Sequence, residues 1–165
     1  MSHDFTLGTV EVALTPSQRF EEYLQSKGKR ITQQRRILVG EVFKRHEHFD
    51  AEVLIKHLDA IGENRVSRPT VYRTLSELLD AGLLRGMSLG GRTVYEHDYG
   101  YPQHDHLHCI KCNKLIEFSD SEIAELRDEV ARQHNFRVIG HRLIISGICT
   151  ECRSVRRPTR KLDLV

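Results

Sequence analysis

Two Cys-x-x-Cys pairs, Cys109-Ile110-Lys111-Cys112 and Cys149-Thr150-Glu151-Cys152, constrain this chain more than any other feature. The two-residue spacer lets both sulfurs of a pair turn to one side of a tight knuckle, and two such pairs can surround one tetrahedral Zn²⁺ with four thiolates. They use all four cysteines of the 165-residue chain. The 36 residues between them exceed a short zinc ribbon and hold strand- and helix-like sequence, so zinc would staple both ends of a small α/β domain. A dithiol redox role is the alternative, and no aromatic-Cys-Gly-Pro-Cys context supports it. Met1 to Leu14 has no basic flank followed by an apolar core, so no secretory signal is read. No apolar run approaches the roughly 20 residues of a membrane span. The expected location is the cytoplasm, where thiols stay reduced and paired cysteines point to metal rather than disulfides.

The histidines cluster beside the first pair. His97, His104, His106 and His108 fall within twelve residues, and Cys109 follows at once. In an extended segment His104 and His106 point one way and Asp105 the other. Imidazoles with carboxylates suit Fe²⁺, Mn²⁺, Zn²⁺, Co²⁺ or Ni²⁺, and Glu96 and Glu117 lie on flanking strand-like segments. His108 directly precedes Cys109 and is read as partly buried or solvent-facing rather than as a ligand; His3, His57 and His134 are read as surface residues.

Hydrophobic residues at 39% and charged residues at 29% are an ordinary soluble globular balance, and the length allows one domain or two small ones. Four helices are expected first. Thr15 and Pro16 open one that Gly28 ends; another follows Thr32; a third runs from Asp50 to Gly62; a fourth runs from Ser67 to Gly82. Residues 83–89 and 92–96 flank Gly90-Gly91 and read as a β-hairpin, so this half describes a winged helix-turn-helix. Asp98 to Gln103 is a turn-rich hinge. Beyond it, Leu115 to Phe118 is strand-like, Ser119 to Glu122 is a capping box, Ile123, Leu126 and Val130 form a helical stripe closed by Asn135, and Phe136 to Ile148 is strand-rich with a break at Gly140. The fold class is α+β: an arm over 1–14, a winged-helix domain over 15–97, the hinge over 98–103, a metal-binding α/β domain over 104–152, and a loose basic tail over 153–165.

The fourth helix turns Val71, Leu75 and Leu78 inward and leaves Arg68, Tyr72, Arg73 and Ser76 outside. A guanidinium and a phenol one step apart near a helix N-terminus suit a major groove, while a solvated amphipathic face is the bland alternative. Arg30 on a loop suits a narrow A·T-rich minor groove, and Arg35 and Arg36 suit phosphates. The formal net charge is only +2, and residues 1–98 balance 14 Lys+Arg against 14 Asp+Glu. Affinity for DNA would then depend on where charges sit, on dimerisation and on bound metal.

Taken together these segments resemble the ferric uptake regulator family of metal-sensing bacterial repressors. The resemblance covers about residues 16 to 152 and is carried by Gly28-Lys29-Arg30-Ile31-Thr32-Gln33-Gln34-Arg35, Thr70-Val71-Tyr72-Arg73-Thr74-Leu75, His104-Asp105-His106-Leu107-His108-Cys109-Ile110-Lys111-Cys112, Ile116-Glu117-Phe118 and Gly147-Ile148-Cys149-Thr150-Glu151-Cys152. It implies a winged-helix DNA-binding domain joined by the hinge to an α/β dimerisation domain. It implies Tyr72 and Arg73 in the major groove, Arg30 in the minor groove, and Cys109, Cys112, Cys149 and Cys152 on a structural Zn²⁺. The family's regulatory site maps onto His48, Glu96, His104, His106 and Glu117, ligands from both domains. A further family site finds Asp105 and His141 matching; Gln103 stands where histidine is common, and the helix glutamate aligns nearest Ala124, with Glu122 and Glu125 beside it.

The resemblance further implies a homodimer, with pairing into tetramers left open, on double-stranded DNA carrying an A·T-rich inverted repeat. Peroxide sensors of the family typically carry Asp where this chain has Glu117, and zinc sensors place a cysteine in the sensing site, so Fe²⁺ is the expected regulatory ion. Mn²⁺ and Zn²⁺ are expected substitutes, and nickel sensing stays open. The rival from another class is a zinc hydrolase using His104-Asp105-His106, which would need an open coordination position and a substrate pocket that the sequence does not display. No enzymatic activity is expected.

Overall fold

The computed structural model describes residues 10–45, 47–62 and 66–154. The chain separates into two compact units, 1–103 and 104–165, each with its own sheet.

The first unit runs α1 (Pro16–Ser26), α2 (Gln33–Phe43), β1 (Phe49–Asp50), α3 (Ala51–Ala60), α4 (Arg68–Asp80), β2 (Leu84–Leu89) and β3 (Arg92–His97). The expected start signals operate as caps. Thr15 accepts from the Gln18 amide while the Gln18 side chain accepts from Thr15, a reciprocal capping box ahead of Pro16. Asp50 Oδ1 accepts from the Val53 amide at 2.8 Å, and Ser67 accepts from the Thr70 amide. Phe20 and Leu24 of α1, Leu38, Val39 and Val42 of α2, Leu54 and Leu58 of α3, and Val71, Leu75 and Leu78 of α4 meet in one core sealed from water. The Gly90-Gly91 turn has φ of 56° and 78°, the left-handed pair that a two-residue hairpin turn demands.

β1 was not legible in the sequence. Its two residues pair with the outer edge of β3, Phe49 opposite Tyr95 and Asp50 opposite Val94, giving the sheet order β1-β3-β2. Residues 10–14, read from sequence as part of a mobile arm, are tied down: the Val10 amide donates to the Gly100 carbonyl at 2.9 Å, and the Tyr99 hydroxyl donates to the Leu14 carbonyl at 3.1 Å. Gly100 turns the chain here with a φ of +79°, a conformation that would strain any other residue. The rest of the arm lies outside the described residues, as do His3 and His46.

The second unit runs β4 (Asp105–Cys109), β5 (Leu115–Phe118), α5 (Ser121–Gln133), β6 (Ile144–Gly147) and α6 (Thr150–Ser154). β4 is central, antiparallel to β5 and parallel to β6. Four sequence expectations change here. The cap of α5 is Asp120, not Ser119: its carboxylate accepts from the Glu122 and Ile123 amides at 2.8 and 3.2 Å, a charged acceptor one residue closer to the helix. Residues 136–148 hold one strand rather than two, and Phe136 and Ile139 stand 72% and 96% exposed, so their apolar pattern has no ladder to join. α6 carries the chain through Ser154, past the expected start of the tail at 153; residues 155–165 lie outside the described residues. The stripe on α5 is not core, since Leu126 and Val130 are exposed. Among the described residues no helix is long and apolar enough to cross a membrane.

Candidate metal centres and nucleic-acid interface

The four cysteines converge in the second unit. Cys109 closes β4, Cys112 lies in the turn beyond it, and Cys149 and Cys152 flank the start of α6. Asn113 takes the left-handed conformation that folds the knuckle back, with its amide donating to the Cys109 carbonyl at 2.8 Å. All four Sγ atoms lie within 4.8 Å of one another, and Cys112 Sγ is 3.7 Å from Cys149 Sγ. Thiolates on a tetrahedral Zn²⁺ at about 2.3 Å would stand about 3.8 Å apart, whereas a disulfide needs about 2.05 Å. The four thiols are free and fit the ion.

Their proton affinities fit it too. The Cys149 and Cys112 amides pointing at Cys109 draw that thiol down to about 5, while hydrogen bonding to the Cys112 and Cys149 sulfurs pushes Cys152 up to about 12. Without a cation the cluster concentrates charge on one sulfur and holds protons on others. A divalent ion displaces those protons and lets all four ionise.

The histidine and glutamate ligands expected for regulation occur as a set in each unit. In the first, His48 just before β1 places Nε2 3.2 Å from the buried Glu96 carboxylate on β3. In the second, His106 on β4 is the cross-strand partner of Glu117 on β5, and His104 Nε2 lies 3.8 Å from Glu117 Oε1. The rings of His104 and His106 stand 4.8 Å apart, so the expected alternation brings them to one face. Each set combines imidazole nitrogen with carboxylate oxygen, the donor chemistry of a first-row divalent ion.

Asp105 points away from its neighbours and meets His141, as the sequence suggested: Nε2 lies 3.1 Å from the carboxylate, which also accepts from the Leu143 amide at 3.1 Å. Glu122 and Glu125 are exposed on α5 and do not join them; the α5 side chain that reaches His141 is Arg127, 2.9 Å from Nδ1. The third charged group at this pair is thus a guanidinium rather than a carboxylate.

On α4 the division of labour is as expected: Val71, Leu75 and Leu78 are buried, while Arg68, Tyr72 and Arg73 are exposed. Glu52 of α3 binds both Arg68 and the Tyr72 hydroxyl, the latter at 2.8 Å. That carboxylate holds Tyr72 above its ordinary proton affinity, and the phenol and Arg68 hold Glu52 below its own. Arg30 is exposed on the loop before α2, whereas Arg35 is largely buried against Glu77.

Sequence reasoning missed three polar residues. Glu77 is buried in α4; the signal was its position one step before the inward Leu78, with Lys29 and Arg35 upstream to neutralise it. His57, read as a surface residue, is half-buried and lies 2.9 Å from Glu41 and 2.7 Å from Arg45, joining α3 to α2. His97 packs on Phe43 with its Nε2 3.0 Å from the Val42 carbonyl. His108 is buried and meets Asn113 at 3.3 Å, in keeping with a non-ligand role.

A family model described as the ferric uptake regulator family matches residues 26–146. The ferric uptake regulation protein of Neisseria gonorrhoeae is 33% identical over 134 residues, covering 79% of this chain and 91% of that one. Among solved structures, the Vibrio cholerae ferric uptake regulator is similar with a TM-score of 0.66 at 35% identity, over 78% of this chain and 98% of that one. The Francisella tularensis ferric uptake regulator, solved with iron, is similar with a TM-score of 0.67 at 30% identity, over 76% of this chain and 96% of that one.

Proposed function

The chain belongs to the ferric uptake regulator family of metal-responsive, DNA-binding transcriptional regulators, and from that premise we propose that it is an Fe²⁺-dependent repressor of metal-uptake genes. The observation that carries the reading is the matched pair of ligand sets, His48 with Glu96 and His104, His106 with Glu117, one in each compact unit. Bound Fe²⁺, with Mn²⁺ or Zn²⁺ as substitutes, supplies one cation that both sets can share.

His48 and Glu96 hold their share of the site on the winged-helix unit, and His104, His106 and Glu117 hold theirs on the sheet of the second unit, so ligand demand from one ion couples the two. Residues 98–103 serve as the hinge. Going from mostly open to mostly closed requires about 3–5 kcal/mol of differential affinity, within the reach of five ligands. The Cys109, Cys112, Cys149 and Cys152 thiolates hold a separate structural Zn²⁺.

The DNA reading assigns Tyr72, Arg73 and Arg68 to the major groove, Arg30 to an A·T-rich minor groove, and Arg35 to support of that loop. Dimerisation falls to the second unit, whose sheet leaves Ile116, Leu107 and Ile145 as a cross-strand apolar row, each 39–44% exposed. A two-fold dimer matches an inverted-repeat operator. A cytoplasmic location fits this reading, since thiolate ligands need cysteines that stay reduced.

The test is a gel shift on DNA from upstream of the protein's own gene, run with chelator and then with Fe²⁺ under anaerobic conditions, Mn²⁺ and Zn²⁺ in turn. A shift that appears only with metal supports the reading, and a shift indifferent to metal overturns it. The sensed ion is the one whose retention threshold falls within the free concentration at which that metal is available in the cell, since affinity alone follows the Irving–Williams order.

A further inference from the structure

Glu77 is an acidic residue buried to 4% exposure in the helix assigned to reading DNA. A buried carboxylate is costly unless it is paired, so its partners are specified by the fold. They come from far earlier in the chain. Lys29 Nζ lies 2.7 Å from Oε1, and Arg35 NH2 lies 2.9 Å from Oε1 and 2.8 Å from Oε2. The second arm of the same guanidinium, NH1, donates to the Arg30 carbonyl at 3.1 Å. Arg30 itself is exposed, held between two residues that Glu77 clamps.

A second stitch lies on the same face of α4. The Thr70 hydroxyl donates to the Gln34 side chain at 3.2 Å. Thr70 and Glu77 are seven positions apart, two helical turns or about 10.5 Å along the axis. The loop that carries Arg30 and the first turn of α2 behind it are therefore fastened to α4 at two points along that helix, Lys29 and Arg35 at Glu77 and Gln34 at Thr70. A basic segment whose cations served only phosphates would leave Arg35 exposed, yet its side chain is 12% exposed and both terminal nitrogens of its guanidinium bond inside the protein.

We propose that Glu77 is a positioning residue for DNA recognition: through Lys29 and Arg35 it fixes the Arg30 loop in register with α4, so that minor-groove and major-groove contacts are made together. This rests on the reading that Arg30 and α4 both touch DNA. Preorganising the loop removes the cost of ordering it on binding, and the benefit falls at the position Arg30 reads rather than on phosphate contacts in general.

The experiment measures affinity of the full-length, Mn²⁺-loaded protein for two duplexes by gel shift: the upstream duplex that wild type retains, and the same duplex with its A·T flanks replaced by G·C. Arg30→Ala should cost roughly 10-fold on the first duplex and little on the second. Glu77→Gln should cost nearly as much, with the same duplex dependence, and the double variant should be no weaker than either single one. Arg35→Lys keeps a cation beside Glu77 but loses the fork that reaches Arg30, and should reproduce the loss at unchanged Tm. Losses that multiply in the double variant, or that are equal on both duplexes, overturn the proposal and leave Glu77 a purely structural pair. If Arg30→Ala costs nothing, the DNA reading of the loop fails first and the proposal falls with it.

Discussion

His141 and Asp105 meet 3.1 Å apart, and the third group at that place is Arg127, 2.9 Å from the other ring nitrogen of His141. Asp105 is buried between His104 and His106 in sequence but turned from them by the pleat of β4. The cluster already contains its cation. His141→Ala should therefore leave the metal content per chain unchanged, measured by elemental analysis after Mn²⁺ loading and desalting. A stoichiometry one ion lower would show that a further site exists there.

Glu52 ties up Arg68 and Tyr72 at the exposed face of α4. On a face that receives DNA, as proposed, that carboxylate would also repel phosphates. Glu52→Gln keeps an acceptor for the Tyr72 hydroxyl and removes the charge, so it should tighten DNA binding about 2- to 10-fold at low salt. The gain should shrink as salt rises. Weaker binding in this variant would mean that Glu52 is needed as an anion to hold the readers in place.

The cysteine cluster concentrates negative charge on Cys109 and protons on Cys152. Cys152→Ser should lose the zinc, read as one equivalent fewer released to a colorimetric chelator, and should lower Tm, because the zinc joins the end of β4 to α6. Retention of a full equivalent of tightly held zinc would contradict a four-thiolate site.

Glu41 sits below its ordinary value of 4.5, first because Lys44 bonds it and then because His57 does. A carboxyl depressed in the fold contributes stability above its unfolded value and loses it as pH falls through the folded one. Wild type should thus lose stability on acidification below about pH 4.5, more than Glu41→Gln does, in urea melts at a series of pH values. Parallel acid limbs in the two proteins would remove this pair from the account.

Much of the first unit was legible because its signals are local. Thr15, Asp50 and Ser67 are caps that act within three residues, and the stripe Val71, Leu75, Leu78 repeats at helical spacing. β1 was not, because two residues have no period and Phe49 becomes a strand only where β3 offers an edge. In the second unit the cysteine spacing and the alternation of His104 and His106 were legible, being covalent and pleat geometry. The pairing of Glu77 with Lys29 and Arg35, and of Arg127 with His141, was not, since partners 48, 42 and 14 positions apart meet only through the fold. The α5 stripe misled for a related reason: Leu126 and Val130 are apolar at helical spacing, yet among the described residues they stay exposed. A surface meant for a second copy has the same pattern as a core.

The most direct measurement of the central claim is the ratio of operator affinities with Fe²⁺ and with chelator, taken anaerobically for wild type and for His104→Ala with His106→Ala. Wild type should bind at least about 10-fold tighter with metal, the ratio that about 1.4 kcal/mol of coupling gives. The double variant should bind as weakly as chelated wild type in both conditions, with the four-cysteine zinc still present. A double variant that still binds operator tightly and still responds to Fe²⁺ would contradict regulation through these residues.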